Sequence, residues 1–392
     1  MYTMFDRTSV LPVIFALGVS MLISFAATPL VKRLAYKIGA VDVPKDGRRM
    51  HDHPIPRLGG LAIFVGFMIS VLLFAEIDRP LRGILLGSCL IVAVGVVDDS
   101  HPLGAGVKFI LQIVAALIAV WHGVIIQTIA NPFPFSGTPY WDFGVMAVPI
   151  TVIWIVAVTN SVNLIDGLDG LADGVSTIGA LTMLIIALMM GNLEMAVICA
   201  ALVGACLGFI PYNRNPAKIF MGDTGATFLG YILATVSVTG LFKLYAMISF
   251  IVPFIILGFP IYDTASAFIR RILKGQNPMK ADRSHTHHKL IDMGMNQKQA
   301  VATLYMVAGV LGLFAVMIVT SGYLKVILSI VALIATAYTV ARIARYPHEH
   351  HKKEQEEQHR EQPSPGSTPV KEEKEESLPA QSESTTGEKK EP

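Results

Sequence analysis

Long apolar runs, bounded by charged, amide, Gly or Pro residues, are the feature that most constrains the fold of this 392-residue chain. A hydrocarbon core of about 30 Å is crossed by roughly 20 mainly apolar helical residues, and eleven runs approach that length. They cover residues 10–31, 58–75, 81–97, 107–126, 145–162, 174–191, 194–212, 225–242, 244–268, 300–319 and 322–343. Hydrophobic residues make up 53% of the chain and charged residues 15%, which excludes an ordinary soluble globular protein. The sequence therefore predicts an all-α polytopic membrane protein with about eleven transmembrane helices.

The distribution of basic residues predicts the orientation of these helices. Lys32 and Arg33 follow the first run instead of preceding it, which favours a retained helix over a cleaved signal peptide. The five segments on the side of the C-terminal tail hold 17 Lys and Arg residues, against 5 on the opposite side. That richer side is cytosolic by the positive-inside rule, so the N-terminus lies outside and the C-terminus is cytosolic. Residues 1–345 are predicted to form the membrane-embedded domain, and the polar residues 346–392 a disordered cytosolic tail.

Cysteine content and net charge exclude two further classes of site and partner. Cys89, Cys199 and Cys206 all fall inside apolar runs, with no CxxC pair or His at ligand spacing, which indicates neither a disulfide nor zinc. The net charge of +2 gives no reason to expect a nucleic acid partner.

Two adjacent carboxylates, Asp98 and Asp99, end the third apolar run. At a membrane boundary they are costly to desolvate and repel each other unless a cation or a hydrogen-bond donor lies nearby. Their side chains diverge by about 100° on a helix, so we expect them to have different roles. A solvated helix end is the structural alternative, although negative charge there opposes the helix dipole.

The segment 160–174 interleaves carboxamides and carboxylates with glycines, and it includes Asn163, Asp166, Asp169 and Asp173. The glycines predict a broken helix whose backbone can turn tightly or approach a ligand. A calcium loop is the obvious rival, but the DxDxDG spacing and the closing Glu are missing. A polar hairpin between two helices stays open as an alternative.

Two other segments carry single charged residues next to glycines. Asp223 lies in a Gly-Asp-Thr-Gly turn before the eighth run and suits magnesium, which is usually held by one or two protein groups plus substrate phosphates. A helix N-cap is an equally strong interpretation of Asp223. Arg57 precedes Leu-Gly-Gly and is placed to meet an anionic substrate or lipid headgroup, although positive-inside topology explains its charge about as well.

Three histidines within four residues, His285, His287 and His288, follow Arg283 in the long basic loop. The spacing suggests zinc at first sight, but no cysteine or fourth ligand is close in sequence. Together with the neighbouring cations they indicate donors to phosphate. A surface loop with chance histidines is the alternative.

In this order the motifs resemble one family over roughly residues 10–343, the polyprenyl-phosphate N-acetylhexosamine-1-phosphate transferases. The resemblance rests on Pro-Arg-Leu-Gly-Gly at 56–60, Asp98-Asp99 followed by Lys108, Asn163 to Gly170, Gly-Asp-Thr-Gly at 222–225, and His285-Thr286-His287-His288. All five motifs fall on the predicted cytosolic side.

The resemblance implies an enzyme with ten or eleven transmembrane helices that requires magnesium, with manganese as an alternative. It would take a UDP-amino sugar, make a lipid diphosphate sugar and release UMP. Asp98 and Asp99 would be catalytic, and Asp223 and Asn163 would hold the metal. The nucleotide-sugar would contact Asp166, Asp169, Arg283, His285, His287 and His288. Lys108 and Arg57 would bind the lipid phosphate.

Two positions indicate the branch of the family. Thr286 interrupts the histidines and Arg57 follows Pro56, whereas the branch that transfers phospho-N-acetylmuramoyl pentapeptide has three consecutive histidines and a Thr-Pro-Thr-Met-Gly-Gly type of entry. We therefore expect transfer of N-acetylglucosamine 1-phosphate from UDP-N-acetylglucosamine to undecaprenyl phosphate. The setting would be the bacterial cytoplasmic membrane, with the active site facing the cytosol, and the product would start a teichoic acid-like or other surface polymer. The pentapeptide transfer, a secondary transporter and a homodimer are left open.

Overall fold

The computed structural model describes residues 10–44, 53–130, 140–241, 251–273, 275 and 285–361. Its α-helices are α1 (Leu11–Ile38), α2 (Gly60–Phe74), α3 (Arg79–Ser100), α4 (Ala105–Trp121), α5 (Ala147–Leu164), α6 (Leu171–Met189), α7 (Leu193–Asn213), α8 (Gly222–Val236), α9 (Ile251–Ile256), α10 (Gly258–Leu273), α11 (Thr286–Asp292), α12 (Gln297–Val319) and α13 (Gly322–Glu361). Two short antiparallel pairs join β1 (Val41–Asp42) to β2 (Ile55–Pro56) and β3 (Thr128–Ala130) to β4 (Tyr140–Asp142).

Seven helical segments among the described residues are long and apolar enough to cross a membrane. They are Leu11–Ile38, Arg79–Ser100, Gly144–Leu164, Leu171–Met189, Leu193–Asn213, Gln297–Val319 and Gly322–Ile343. The apolar helices α2 and α4 are shorter, at 15 and 17 residues. The predicted all-α, multi-pass membrane architecture is confirmed, whereas the count of eleven crossings and the orientation of the termini stay predictions.

The predicted eighth and ninth apolar runs are not continuous α-helices. After α8 the chain passes into a π-helical turn at Ser237–Leu241. Residues 242–250 lie outside the described residues, and the rest of the ninth run is divided at Leu257 between α9 and α10. Such breaks are tolerated at membrane depth where neighbouring helices cover the backbone.

Helix α8 lies at the centre of the described bundle. Its residues from Thr224 to Val236 are all buried, and it packs against α2, α3 and α5. Helices α6 and α7 are also enclosed, with 78% of their most apolar stretch buried, compared with 11% for α13. The first turn of the central helix therefore carries Asp223 to one end of the bundle.

Glycines allow two helices to meet the first turn of α8 at backbone distance. A β-carbon at Gly60 would overlap the backbone of Gly225, and one at Gly95 would overlap the backbone of Thr224. Small residues at helix crossings permit this approach in membrane proteins. The close crossing brings the end of α3, with its two carboxylates, against the start of α8.

The chain divides into two compact units, Met1–Pro347 and His348–Pro392. The last described helix ends at Glu361, beyond the predicted boundary at residue 345. Residues 362–392 lie outside the described residues, so disorder of the tail stays a prediction.

Candidate active site

The Pro-Arg-Leu-Gly-Gly segment is joined through its backbone to the residues that precede α8. The Phe220 amide donates to the carbonyl of Pro56 at 2.8 Å, and the amides of Gly59 and Gly60 donate to the carbonyls of Phe220 and Met221, each at 2.9 Å. Backbone bonds of this kind fix one segment relative to the other. Two motifs more than 150 residues apart in sequence are therefore parts of one structural unit.

The Asp99 carboxylate is buried in that unit, and donors surround both of its oxygens. Oδ1 accepts from Arg57 Nε at 3.1 Å and Nη2 at 3.0 Å, and from the Asp223 amide at 3.0 Å. Oδ2 accepts from the Thr224 amide at 3.0 Å and hydroxyl at 2.6 Å. No side chain at the start of α8 caps the helix, so Asp99 supplies the cap from α3 and the helix dipole favours its charge.

Asp98 points to different partners, as the helical spacing predicts. Its Oδ1 accepts from the Leu103 amide at 2.7 Å, and its Oδ2 lies 3.1 Å from Lys108 Nζ. The same ammonium lies 2.7 Å from Asp223 Oδ2. The side chains of Lys108 and Asp223 are 28% and 21% exposed, so this ion-pair cluster is open to a substrate.

Asp223 is the second residue of α8, and its carboxylate faces Lys108 instead of capping its own helix. Its Oδ1 also lies 3.9 Å from Arg57 Nη2. The alternative interpretation of Asp223 as the N-cap is therefore wrong, because the cap is Asp99.

Residues 165–170 form a turn between α5 and α6, as the glycines predict, and Asn163 lies in the last turn of α5. Half-buried Asp166 lies in this turn, where withdrawal from water and the nearby carboxylates of Asp223 and Asp99 raise its pKa to about 7. The Asn163 carboxamide makes no hydrogen bond with the part of the chain that the structure describes. The carboxyl of Asp166 is thus close to Asp99, Arg57 and Asp223, whereas a metal-binding role for the Asn163 carboxamide stays a prediction.

The Asp169 carboxylate, in contrast, accepts hydrogen bonds from the loop that follows α7. Its Oδ2 accepts from Asn215 Nδ2 at 2.8 Å and from the Ala217 amide at 3.0 Å. Asn215 also donates to Gln297 at 2.6 Å. This geometry holds two loops together, and contact of Asp169 with a nucleotide-sugar stays a prediction.

The histidine motif is attached to α10 through Asp263. His285 Nδ1 lies 2.9 Å from Asp263 Oδ2, and the Thr286 amide donates to Asp263 Oδ1 at 2.6 Å. His287 contacts the turn at 165–170. Its imidazole Nε2 occupies the space where a β-carbon on Gly167 would lie.

The rings of His285 and His287 are stacked, and the His288 ring is tilted against that of His287. The His287 ring centroid lies 5.8 Å from that of His285 and 4.3 Å from that of His288. Burial, followed by the nearby His288, lowers the pKa of His287 to about 4, so its ring is neutral at physiological pH. Arg283 lies outside the described residues.

Sequence reasoning missed two residues of this region, Asp263 and Tyr305. Asp263 lies inside the predicted ninth apolar run, and an acidic residue in such a run was itself the available signal. The Tyr305 hydroxyl donates to the carbonyl of Gly170, and its ring lies where a β-carbon on Gly174 would be. No sequence signal distinguished Tyr305 from other aromatic residues of the apolar helices.

Apart from Asn163, Asp169 and Arg283, the predicted site residues form two groups. Arg57, Asp98, Asp99, Lys108, Asp166 and Asp223 surround the start of α8. The histidines form the second group, and the contact between His287 and Gly167 joins it to the turn that carries Asp166. Within the described residues, no three His, Cys, Asp or Glu side chains are arranged to hold a metal ion by themselves.

Comparisons with known proteins find similarity over most of the chain. The model of glycosyl transferase family 4 matches residues 81–241, which include every carboxylate of the first group. A Bacillus subtilis protein named "Probable undecaprenyl-phosphate N-acetylglucosaminyl 1-phosphate transferase" is 42% identical over 307 residues, which cover 78% of this chain and 85% of that protein. The chain belongs to glycosyl transferase family 4.

Other relatives in the family differ in their named substrates. A decaprenyl-phosphate N-acetylglucosaminephosphotransferase of Mycolicibacterium smegmatis is 34% identical over 74% of this chain and 78% of its own length. A phospho-N-acetylmuramoyl-pentapeptide-transferase of Desulfotalea psychrophila is 31% identical over 71% of this chain and 84% of its own length. The sequence-based expectation of a polyprenyl-phosphate N-acetylhexosamine-1-phosphate transferase is confirmed.

Proposed function

We propose that this family 4 enzyme transfers N-acetylglucosamine 1-phosphate from UDP-N-acetylglucosamine to undecaprenyl phosphate, releasing UMP. The observation that carries the proposal is the open cluster in which Lys108 joins Asp98 to Asp223. The name of the Bacillus subtilis relative supports both the sugar and the lipid. The product, undecaprenyl-diphosphate-N-acetylglucosamine, would begin a teichoic acid-like or other surface polymer.

The donor atoms around the cluster fit magnesium, with manganese as an alternative. They are the oxygens of the Asp223 carboxylate, and the predicted second ligand is the Asn163 carboxamide in the last turn of α5. Magnesium is usually held by one or two protein groups plus substrate phosphates, so a site without three protein ligands suits it. When bound, the ion would neutralise charge on the diphosphate of the nucleotide-sugar.

The chemistry requires positioning more than a strong base. A phosphate monoester has a second pKa of about 6, so the lipid phosphate is largely a dianion at neutral pH. Its oxygen attacks the sugar-bearing phosphorus in line, the bond from that phosphorus to the bridging oxygen breaks, and UMP leaves with the electron pair. Lys108 and Arg57 would orient the lipid phosphate, and Asp98 would position it or accept a late proton.

We assign Asp99 a positioning role in place of the predicted catalytic one. Five donor atoms already surround its two oxygens, and its side chain is fully buried. A carboxylate engaged in this way has no oxygen left for a substrate proton. Its effect on the reaction would pass through Arg57 and the start of α8, which it holds beside Asp98.

A two-step scheme is the competing mechanism, in which a carboxylate first forms a phospho-sugar enzyme intermediate. Incubation with labelled nucleotide-sugar and no lipid separates the two schemes. Direct transfer predicts no UMP release under these conditions. Release of UMP with label retained on the protein would contradict it.

We propose that the protein crosses the bacterial cytoplasmic membrane eleven times, with the N-terminus outside and the active site facing the cytosol. The excess of basic residues on the predicted cytosolic side supports this orientation. In a variant without native cysteines, a membrane-impermeant maleimide should label Tyr140→Cys in intact cells and leave Gly104→Cys unlabelled. The reverse labelling would contradict the orientation.

Release of UMP from purified protein, undecaprenyl phosphate, magnesium and a series of UDP-sugars tests the function. UDP-N-acetylglucosamine should be the preferred donor, and Asp223→Ala should abolish turnover while thermal unfolding is unchanged. Preference for UDP-N-acetylmuramoyl pentapeptide would favour the related family activity. Absence of turnover with every donor would contradict the proposal and favour a transporter. Light scattering of the same sample tests a homodimer.

A further inference from the structure

Asp263 engages the histidine motif through both of its carboxylate oxygens. Oδ2 accepts from His285 Nδ1 at 2.9 Å, and Oδ1 accepts from the Thr286 amide at 2.6 Å and hydroxyl at 2.5 Å. Asp263 is 1% exposed and lies on α10 among mainly apolar residues. Burial of a carboxylate is costly without such donors, so the arrangement ties the motif to one place on α10.

The contact with His285 fixes which ring nitrogen carries a proton. An ionised carboxylate only accepts hydrogen bonds, so the proton on this side of the ring lies on Nδ1. Nε2 is then presented to the other side of the ring. His285 is 5% exposed, which leaves the ring little freedom to turn over.

The contacts with Thr286 fix the start of α11. That helix carries His287, whose ring lies against Gly167 in the turn that holds Asp166. A displacement of Thr286 would therefore move the contact between the histidine motif and the carboxylate group. The buried Asp263 side chain therefore determines both the proton position on His285 and the position of the start of α11.

We propose that Asp263 is a positioning residue of the transfer reaction, which sets the Nδ1–H form of His285 and the start of α11 so that the histidines meet the diphosphate of the nucleotide-sugar. The proposal rests on the proposed function, because it takes the histidines as ligands of that diphosphate. Asp263 acts through His285 and Thr286 and does not itself touch reacting atoms.

Asp263→Asn is the sharpest test, because it separates the two contacts. The carboxamide oxygen can still accept from the Thr286 amide, while its NH₂ group must face His285 Nδ1 and forces the proton to Nε2. We expect the KM for UDP-N-acetylglucosamine to rise and the affinity for UDP to fall, each roughly 10-fold or more. The KM for undecaprenyl phosphate and the thermal unfolding midpoint should stay close to wild type.

Thr286→Val is the matched control, since it removes only the hydroxyl contact and should change the KM for the nucleotide-sugar by less than about 3-fold. A double-mutant cycle then tests the pathway. If Asp263 acts through His285, the pair Asp263→Asn/His285→Ala should be no worse than His285→Ala alone. Multiplied losses, or a wild-type KM in Asp263→Asn, would overturn the proposal.

His285→Asn keeps the test decisive if Asp263→Asn fails to fold. Its NH₂ group can still donate to Asp263, but the variant lacks Nε2. We expect normal thermal unfolding with the loss of UDP affinity that His285→Ala shows, and unchanged affinity would overturn the proposal. Failure of the proposed function is a separate result, because it requires that the wild-type enzyme release no UMP with the lipid acceptor.

Discussion

Asp99→Asn is the substitution that most directly tests how the site is built. The two oxygens of Asp99 face two different sets of donors, Arg57 with the Asp223 amide on one side and Thr224 on the other. An Asn side chain has one acceptor oxygen, so its NH₂ group must face one of these sets. At least one backbone N–H at the start of α8 then loses its partner inside the protein.

The cost follows from the burial of this carboxylate. A hydrogen bond to a charged group contributes about 1.5–3 kcal/mol, and a buried donor left unsatisfied costs about 1–3 kcal/mol. Asp99 has no exposed side-chain surface, so solvent does not compensate for the loss. We expect the folded arrangement to lose about 2–4 kcal/mol, which corresponds to a fall in kcat/KM of roughly 30- to 900-fold if it all appears as misplacement of Asp223.

Thermal unfolding of the detergent-solubilised protein and UMP release are the two measurements, and Asp98→Asn is the control. Asn at position 98 can still accept from the Leu103 amide, and the Lys108 contact that it weakens is partly exposed. Asp98→Asn should therefore lose activity with little change in the unfolding midpoint, whereas Asp99→Asn should lose both. A stable, inactive Asp99→Asn variant would refute the positioning role and restore Asp99 as a catalytic residue.

Three further predictions concern the surroundings of the cluster. Gly167→Ala would push a methyl group into the His287 ring, so we expect about 1–3 kcal/mol of strain and a higher KM for the nucleotide-sugar in the UMP assay. Gly106→Ala, with nothing within 4 Å of the new methyl group, is its control and should behave as wild type. The pKa of His287 in the folded protein is about 4, below its ordinary value near 6.5. The unfolded chain therefore binds a proton here more readily than the folded protein does. The free energy of unfolding is unaffected by this group well above about pH 6.5 and is lower by about 2 kcal/mol at about pH 5. His287→Gln should therefore reduce the loss of thermal stability between these pH values, and an unchanged loss would show that His287 is not neutral in the fold. Asp173 is fully buried, and its carboxylate meets no donor stronger than the Cys206 thiol within the described structure. Asp173→Ala should therefore raise the free energy of unfolding by about 1 kcal/mol. A lower unfolding midpoint would contradict this.

The lengths of the apolar runs predicted most of the helices, because each membrane crossing requires its own run of about 20 apolar residues. The interruptions of the eighth and ninth runs were not predictable in the same way. Ser237–Leu241 contains Ser, Thr and Gly, and Gly258 and Pro260 follow Leu257. Such residues do not decide the matter alone, because Pro29 and Pro211 lie inside continuous helices, and packing against neighbouring helices determines where a helix changes its winding.

The site was predictable as a set of residues but not as a set of roles. The spacing of Asp98 and Asp99 predicts that their side chains point in different directions. It does not indicate which of the two carboxylates contacts the start of α8. That assignment depends on the close crossing at Gly95 and Thr224, a contact between residues distant in sequence. Asp263 was noticeable as an acidic residue in an apolar run, but its role was not predictable, since its partners lie 22 and 23 residues further along the chain.

The balance of charge around α8 gives a physical reason for a divalent cation. Four carboxylates meet two cationic side chains among the described residues: Asp98, Asp99, Asp166 and Asp223 against Arg57 and Lys108. After burial, repulsion from the neighbouring carboxylates is the next cause of the raised pKa of Asp166. The excess of negative charge therefore already disfavours ionisation of one carboxyl group in the site. Two phosphorylated substrates would add several more negative charges, and their approach would be strongly unfavourable without added positive charge. Lys108 alone cannot supply it, because both Asp98 and Asp223 already share its single charge. The proposal of magnesium therefore follows from electrostatics around α8 as well as from the oxygen donors.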